Sequence, residues 1–243
     1  MREVRYRAIA DDLRRRVESG EPGTGHLLPS ESELSGAYGV SRVTVRKALE
    51  LLRDEGLIDS RQGFGWFVAT EPVPQTLGRL GTIEDQLAAL GVESERRVVS
   101  FRLVEAPPRV RQVLEVDRVL EVRRVNLADG HPFARVTVWC PEELGTGLTR
   151  DDVERTPFYE LVGVPIGGAT QTIGAVAADR EDAEALAVPV GSPMLRCERI
   201  TRDVDGRPVL LSVFLFPAHR TEFVVELPRV EPSIGPSGLR LVE

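Results

Sequence analysis

The stretch from Leu28 to Val68, LPSESELSGAYGVSRVTVRKALELLRDEGLIDSRQGFGWFV, constrains this chain more than any other. Ser30 followed three residues later by Glu33 is a capping box, so a short helix is expected over about Glu31–Ala37 with Leu34 turned inward. Gly39 stands where the chain must turn sharply, and Val40 fills the corner. Ser41 then caps a second helix, about Arg42–Glu55, whose Val45, Ala48, Leu49 and Leu52 recur at helical spacing on one face. Gly56 ends it. Leu57 and Ile58 open a strand, Arg61–Gly65 make a tip, and Trp66–Val68 return. Two short helices across a glycine turn, followed by a glycine-tipped hairpin, make a helix-turn-helix with a wing.

Such a unit reads DNA by leading the N-terminal residues of its second helix into the major groove. Here those residues are Ser41, Arg42, Val43, Thr44, Arg46 and Lys47. Arg42 and Arg46 are four apart and share a face, rotated away from the Val45/Leu49/Leu52 stripe. Two guanidiniums beside a helix N-terminus suit phosphate and guanine. The wing glycines Gly63 and Gly65 would let backbone approach the minor groove. On charge alone, an amphipathic helix with a solvated arginine face is an equal reading. The turn, the caps and the hairpin together argue against it.

The net charge of −7 looks wrong for a DNA binder until the chain is divided. Residues 1–70 carry 11 Lys+Arg and 11 Asp+Glu, so the whole acidic excess lies in the remainder. Ser41–Leu49 contains Arg42, Arg46 and Lys47 and no acid. Affinity for a polyanion follows such a local patch more than the overall charge.

Upstream, Tyr6, Ile9, Ala10, Leu13 and Val17 mark a first helix ending near Gly20. Arg14, Arg15 and Arg16 would form a solvated face near phosphate. Residues 70–78 contain two prolines and no periodicity and read as a linker. Beyond them lies a duplication. VLEVRRVNLADGHPFARVTVWCP (119–141) and MLRCERITRDVDGRPVLLSVFLFP (194–217) share strand, Asp-Gly turn, x-Pro, strand and Pro. Asp-Gly between strand-like runs is a strong hairpin signal. Each hairpin follows a helix (Pro107–Leu114, Asp179–Leu186), and each helix follows a strand (Arg97–Val104, about Thr170–Ala177). Two strand–helix–hairpin units predict about six antiparallel strands with helices packed on them, and a cavity between the halves. Between the units, Pro157–Gly163 is a short helix with Thr156 as its N-cap. From Pro228 onward the chain has little pattern.

Residues 6–69 are similar to the winged helix-turn-helix of the GntR family of bacterial transcription regulators. The carrying residues are Leu28-Pro29-Ser30-Glu31, Gly39–Arg42, Thr44–Arg46, Ala48-Leu49, Glu55–Ile58, Gly63–Gly65 and Phe67-Val68. Ser32 stands where many members have an arginine that touches DNA. Residues about 79–227 resemble the effector-binding domain of the HutC subfamily, known as UTRA, with its chorismate-lyase-like fold. This rests on Asp129-Gly130-x-Pro132, Thr156–Leu161, Gln171-x-Ile173-x-Ala175, Leu186-x-Val188-x-x-Gly191-x-Pro193 and Asp205-Gly206-x-Pro208. The resemblance implies a small-metabolite pocket at Thr82, Arg124, Asn126 and Thr156, with Gln171, Trp139 and Tyr159 as further candidates. Phosphosugar-binding relatives carry arginine at both strand positions. Asn126 at the second, and Val136 where a glutamate often stands, imply a less polar site and argue against a doubly charged phosphate. Arg124 paired with a neighbouring acid on the sheet, Thr156 as a helix cap alone and Trp139 as core are the structural alternatives.

The expected organisation is α+β: residues 1–69 a DNA-binding head, 70–78 a linker, 79–230 an effector-binding and dimerisation domain, and 231–243 a tail. The function implied is a homodimeric regulator on a palindromic operator in double-stranded DNA, more a repressor than an activator, released by a small molecule. No catalytic residue, metal or cofactor is expected. None of His26, His131 and His219 has a partner at metal-ligand spacing, and His131 sits in a turn, where solvation is expected. The chain has no nucleophile elbow, P-loop or dinucleotide fingerprint. Cys140 and Cys197, in apolar runs, read as buried thiols in a reduced cytoplasm. No apolar run reaches membrane-helix length, and no signal peptide is evident. A chorismate-lyase-like enzyme joined to a DNA reader would rest on fold analogy alone. A ligand-independent DNA-binding protein would have no use for so large a second domain.

Overall fold

The computed structural model describes residues 2–22, 25–61, 65–69, 73–77 and 81–225. Helix α1 (Arg2–Glu18) lies under α2 (Glu31–Tyr38) and α3 (Arg42–Asp54). The Ser30–Glu33 capping box is formed in both directions. Gly39 takes the left-handed conformation the turn needs, at φ 60° and ψ 37°, where a side chain would be strained. The Ser41 hydroxyl accepts from the Thr44 N–H. Ile9, Ala10, Leu13, Leu34, Val45, Ala48, Leu49 and Leu52 form the buried core of this head. Strands β1 (Ile58–Arg61) and β2 (Gly65–Val68) form the wing, and Leu27 adds a bridge to Phe67. Arg14 differs from the expected solvated face. Its guanidinium forks onto both Glu55 carboxylate oxygens at 2.8 Å and ties α1 to the end of α3.

The stretch read as a linker contains a strand. β3 (Val73–Thr76) pairs in parallel with β10 (Thr221–Val224), near the far end of the described chain. Helix α4 (Ile83–Ala89), capped by Thr82 in a second capping box, opens the next domain. Its sheet is the predicted pair of units. β4 (Ser94–Glu105), α5 (Pro108–Leu114), β5 (Arg118–Ala128) and β6 (His131–Pro141) make the first. β7 (Ile166–Ala177), α9 (Arg180–Leu186), β8 (Pro193–Asp203) and β9 (Pro208–Pro217) make the second. The strand order β4-β5-β6-β9-β8-β7 is wholly antiparallel, so the halves join at β6–β9 and the third strands lie at the centre.

Three short helices lie between the units: α6 (Glu142–Gly145), α7 (Arg150–Arg155) and α8 (Phe158–Leu161). Sequence reading finds only the last and gives it the wrong cap. Thr156 is the C-cap of α7, while Pro157 begins α8 without a side-chain cap. Thr149, with Asp152, is the capping residue there. Alternate positions of β5 face opposite ways, and both faces are covered. Leu120 and Val122 join the core beneath α4, α7 and α8. Val119 packs with Val110 and Leu114 of α5 on the other side. Cys140 and Cys197 are buried free thiols, both pushed up to about 12 by burial.

Candidate DNA-reading face and effector pocket

Ser41, Arg42, Thr44, Arg46 and Lys47 come together along the first turns of α3, where Arg42, Arg46 and Lys47 are exposed and Thr44 is half-buried. Val43 is 68% exposed, an apolar side chain with no packing reason to be there. The two arginines are not equally free. The Arg46 guanidinium forks onto Glu31 at 2.8 and 2.9 Å, and Glu31 also accepts from Trp66 Nε1 of the wing. The Arg46 hydrogen bond holds the Glu31 carboxyl below its usual range. Among the described residues, Arg42 reaches the Ser32 hydroxyl, 2.8 Å away. Arg42 thus lies beside α2 without a carboxylate in ion-pair contact among the described residues, although its charge is felt by Glu31. Gly65 opens β2 at φ 101°. Gly63 lies outside the described residues.

The second site is a cavity between the sheet and α4, lined by Thr82, Glu84, Arg96, Arg124, Tyr159, Gln171, Arg199, Phe214 and Phe223 among others, with about 40 Å³ open to water-sized molecules. Of the residues singled out in the sequence, Thr82, Arg124, Gln171 and Tyr159 line it. Asn126 is fully buried beside it and donates to Glu84. Thr156 is not among the lining residues; its neighbours Pro157, Phe158 and Tyr159 are. Trp139 lies on the opposite face of the sheet and donates to the buried Glu121. Arg124 has no acid in ion-pair contact: its Nε and Nη1 are buried without a hydrogen-bond partner among the described residues. Burial pushes its guanidinium down to about 10, against the pull of the Glu84 charge.

Sequence reasoning missed three residues of this site. Arg96 is the direct cross-strand partner of Asn126, so β4 supplies the guanidinium that β5 lacks there. The expectation of a less polar site is thus corrected, because the lining carries three arginines against one carboxylate. Arg199 donates to Gln171 Oε1 at 2.8 Å and to the Tyr159 hydroxyl at 2.6 Å, and lies 5.0 Å from the Phe214 ring centroid. Its signal was in the duplication: aligning Val119 with Met194 places Arg199 on Arg124. The third is Glu84, on α4. It accepts from Arg96 Nε at 2.6 Å and from Asn126 Nδ2. Burial alone would raise its carboxyl; the Arg96 hydrogen bond and the charges of Arg124 and Arg96 outweigh that and hold it at about 2.

Head and pocket meet at a seam. Phe67 and Leu27 from the base of the wing pack on Leu186, Val188 and Met194. The Gly25 carbonyl accepts from Arg220 Nε at 2.9 Å, and His219 Nε2 lies 3.0 Å from it. His131 is not simply solvated; its ring stands edge-on to His26 at 4.5 Å. Among the described residues no cluster of side chains suits a metal ion, and no helix is long and apolar enough to cross a membrane.

Comparisons agree with this architecture. Residues 5–68 match the family described as bacterial regulatory proteins, gntR family, and residues 89–222 match the UTRA domain. The HTH-type transcriptional regulator Rv0792c of Mycobacterium tuberculosis is 35% identical over 235 residues, covering 93% of this chain and 87% of that protein. The mannosyl-D-glycerate transport/metabolism system repressor MngR of Escherichia coli is 32% identical over 210 residues, covering 83% and 87%. The crystal structure of PhnF from Mycobacterium smegmatis superposes with a TM-score of 0.61 at 26% identity, covering 90% of this chain and 98% of that one. The chain belongs to the GntR family, as a ligand-responsive DNA-binding transcription regulator whose winged helix-turn-helix is joined to a UTRA effector domain.

Proposed function

We propose that the protein acts in the cytoplasm as a homodimeric repressor that covers a palindromic operator and leaves it when a small anionic metabolite fills the arginine-lined cavity. It performs no chemistry on that ligand. The observation that carries the reading is the buried Arg124, unpartnered at Nε and Nη1 and facing a cavity beneath α4. A buried guanidinium left without hydrogen bonds is costly in an apo protein and is satisfied by an oxyanion. In the head, Arg42 and Lys47 would contact phosphate or guanine, Ser41 and Thr44 phosphate or a base edge, and the tip around Gly63 and Gly65 the minor groove. Arg46 must either carry Glu31 into the interface or exchange it for DNA.

Dimerisation would bring two recognition helices roughly 34 Å apart. Support for an interface on the effector domain comes from β7. This twelve-residue edge strand has no buried residue, and Ile173 and Val176 are each 38% exposed. A long unpaired edge with apolar side chains invites a partner. The route from pocket to head is short. Phe223 lines the cavity, β10 pairs with β3, and three residues before Phe223 the Arg220 side chain holds Gly25 of the head.

The test is selection of random duplex DNA by the purified protein, sequenced and repeated with Arg46→Ala. A palindrome with half-sites about one helical turn apart is expected from the wild type. Enrichment of a single, non-repeated half-site would remove the dimeric arrangement from this reading.

A further inference from the structure

A carboxylate of the protein itself lies in the wall of the cavity. Glu84 projects from α4 into the group of donors that would otherwise be left facing an empty space. It takes the Arg96 Nε hydrogen bond at 2.6 Å and the Asn126 amide, and its charge and that of Arg124 act on each other. It does not satisfy Arg124, whose Nε and Nη1 remain without partners, so the arrangement is a partial match to the donors. Even with Glu84 in place, the charged residues lining the cavity leave an excess of two positive charges. About 40 Å³ is open to water-sized molecules, room for a few waters, so a lining side chain that moves out enlarges the space a ligand can take. Glu84 is the group whose removal both opens space and exposes unpaired donors.

We propose that Glu84 is a built-in stand-in for the effector's oxyanion: its carboxylate occupies the anion position facing Arg96, Arg124 and Asn126, and an incoming oxyanion displaces it and frees α4. This rests on the reading of the cavity as the effector site. It adds the ligand class, a small molecule carrying an oxyanion, and a residue that sets affinity by competing with it. The same step supplies the signal. α4 is held at its start by Arg199 to the Gly81 carbonyl and at Glu84 by Arg96, and it follows closely on β3. Losing the second hold changes how the segment leading back to the head is anchored.

The experiment is calorimetric titration of the full chain with two probes, inorganic phosphate and benzoate, with benzamide as the neutral control. Wild type, Glu84→Gln, Arg124→Gln and the double variant are compared. Removing the competing charge should make Glu84→Gln bind at least one oxyanion on the order of ten-fold more tightly, within the ordinary range of linkage couplings, with benzamide unchanged. A gain for phosphate identifies a phosphate-bearing effector, and a gain for benzoate a carboxylate. The gain should vanish in the double variant. No gain for either anion, with Arg124→Gln still abolishing wild-type binding, would overturn the role of Glu84 and leave the pocket standing. Anion binding indifferent to Arg124→Gln would overturn the pocket itself. Should Glu84→Gln fail to fold without anion, Glu84→Asp keeps the charge, withdraws it from Asn126, and should show a smaller gain of the same sign. Equal or weaker binding by Glu84→Asp would count against displacement.

Discussion

The head and the pocket are built on opposite principles. Most contacts that define the reading face are local: Ser30 with Glu33, Ser41 with Thr44, Arg42 with Ser32, and Arg46 with Glu31, all within about four turns of chain, with Trp66 reaching Glu31 from the wing. The pocket takes Glu84, Arg96, Arg124, Tyr159 and Arg199 from five separate elements and holds them together only by sheet register and the packing of α4 and α8. A locally built face can be formed before any partner arrives. A face assembled over a hundred residues can change when one element shifts, which is what a sensor needs.

The largest expected effect is a test of how separate the two regions are. Leu52→Ala, at a fully buried position of the head core, should cost about 2–5 kcal/mol through the cavity it leaves. Circular dichroism in denaturant should then show the head unfolding first, with the sheet intact and anion binding retained. Loss of sheet and head in a single transition would mean that the Phe67 wedge at the seam fuses them into one cooperative unit.

A smaller effect separates the two arginines of α3. Arg46→Ala should weaken operator binding by about 1–3 kcal/mol if its guanidinium reads a base. Because Arg46 already has a carboxylate partner and Arg42 has none, the salt dependence of binding should fall more for Arg42→Ala than for Arg46→Ala. Fluorescence anisotropy across a salt series would decide it, and equal slopes would mean that the Glu31 pair opens on DNA.

The reason for this division of labour also explains what could be read from the sequence. Caps, a left-handed glycine and an apolar stripe are local signals, so α2, the turn and α3 were legible to within a residue or two. The six strands were legible because the Asp-Gly hairpin occurs twice. Arg96 was not, because the expected strand began one residue later and only cross-strand register with Asn126 gives it a role. Glu84 carries no local signal of its role, because its partners Arg96 and Asn126 reach it from β4 and β5. Thr156 falls outside the cap it is expected to make because a six-residue helix, α7, capped by Thr149, ends on it. The strand at Val73–Thr76 was hidden by its partner lying at Thr221–Val224, far along the chain.

The smallest effect concerns the seam. Burial, reinforced by the charge of Arg220 and by His131, pushes His26 down to about 4. An undocked His26 titrates near its ordinary value of about 6.5. The docked form therefore binds fewer protons between these values. Its stabilisation is fully present above about 6.5 and is lost as pH falls toward 4. Hydrogen exchange at the Leu28 and Val68 amides, both bonded across the seam-facing strands, should quicken on mild acidification and cease to respond to pH in His26→Gln, once intrinsic exchange rates are divided out. Unchanged protection in the wild type would remove His26 from the docking balance.

The central claim is that DNA is read at α3 and the ligand is sensed beneath α4 by one coupled molecule. Hydrogen exchange of the full chain with and without its selected operator duplex tests this most directly. Protection is expected over Ser41–Lys47 and along β1 and β2, accompanied by a change at α4, since coupling between two sites acts in both directions. Protection confined to the head with α4 unmoved would contradict the coupling, and protection absent from Ser41–Lys47 would contradict the reading face.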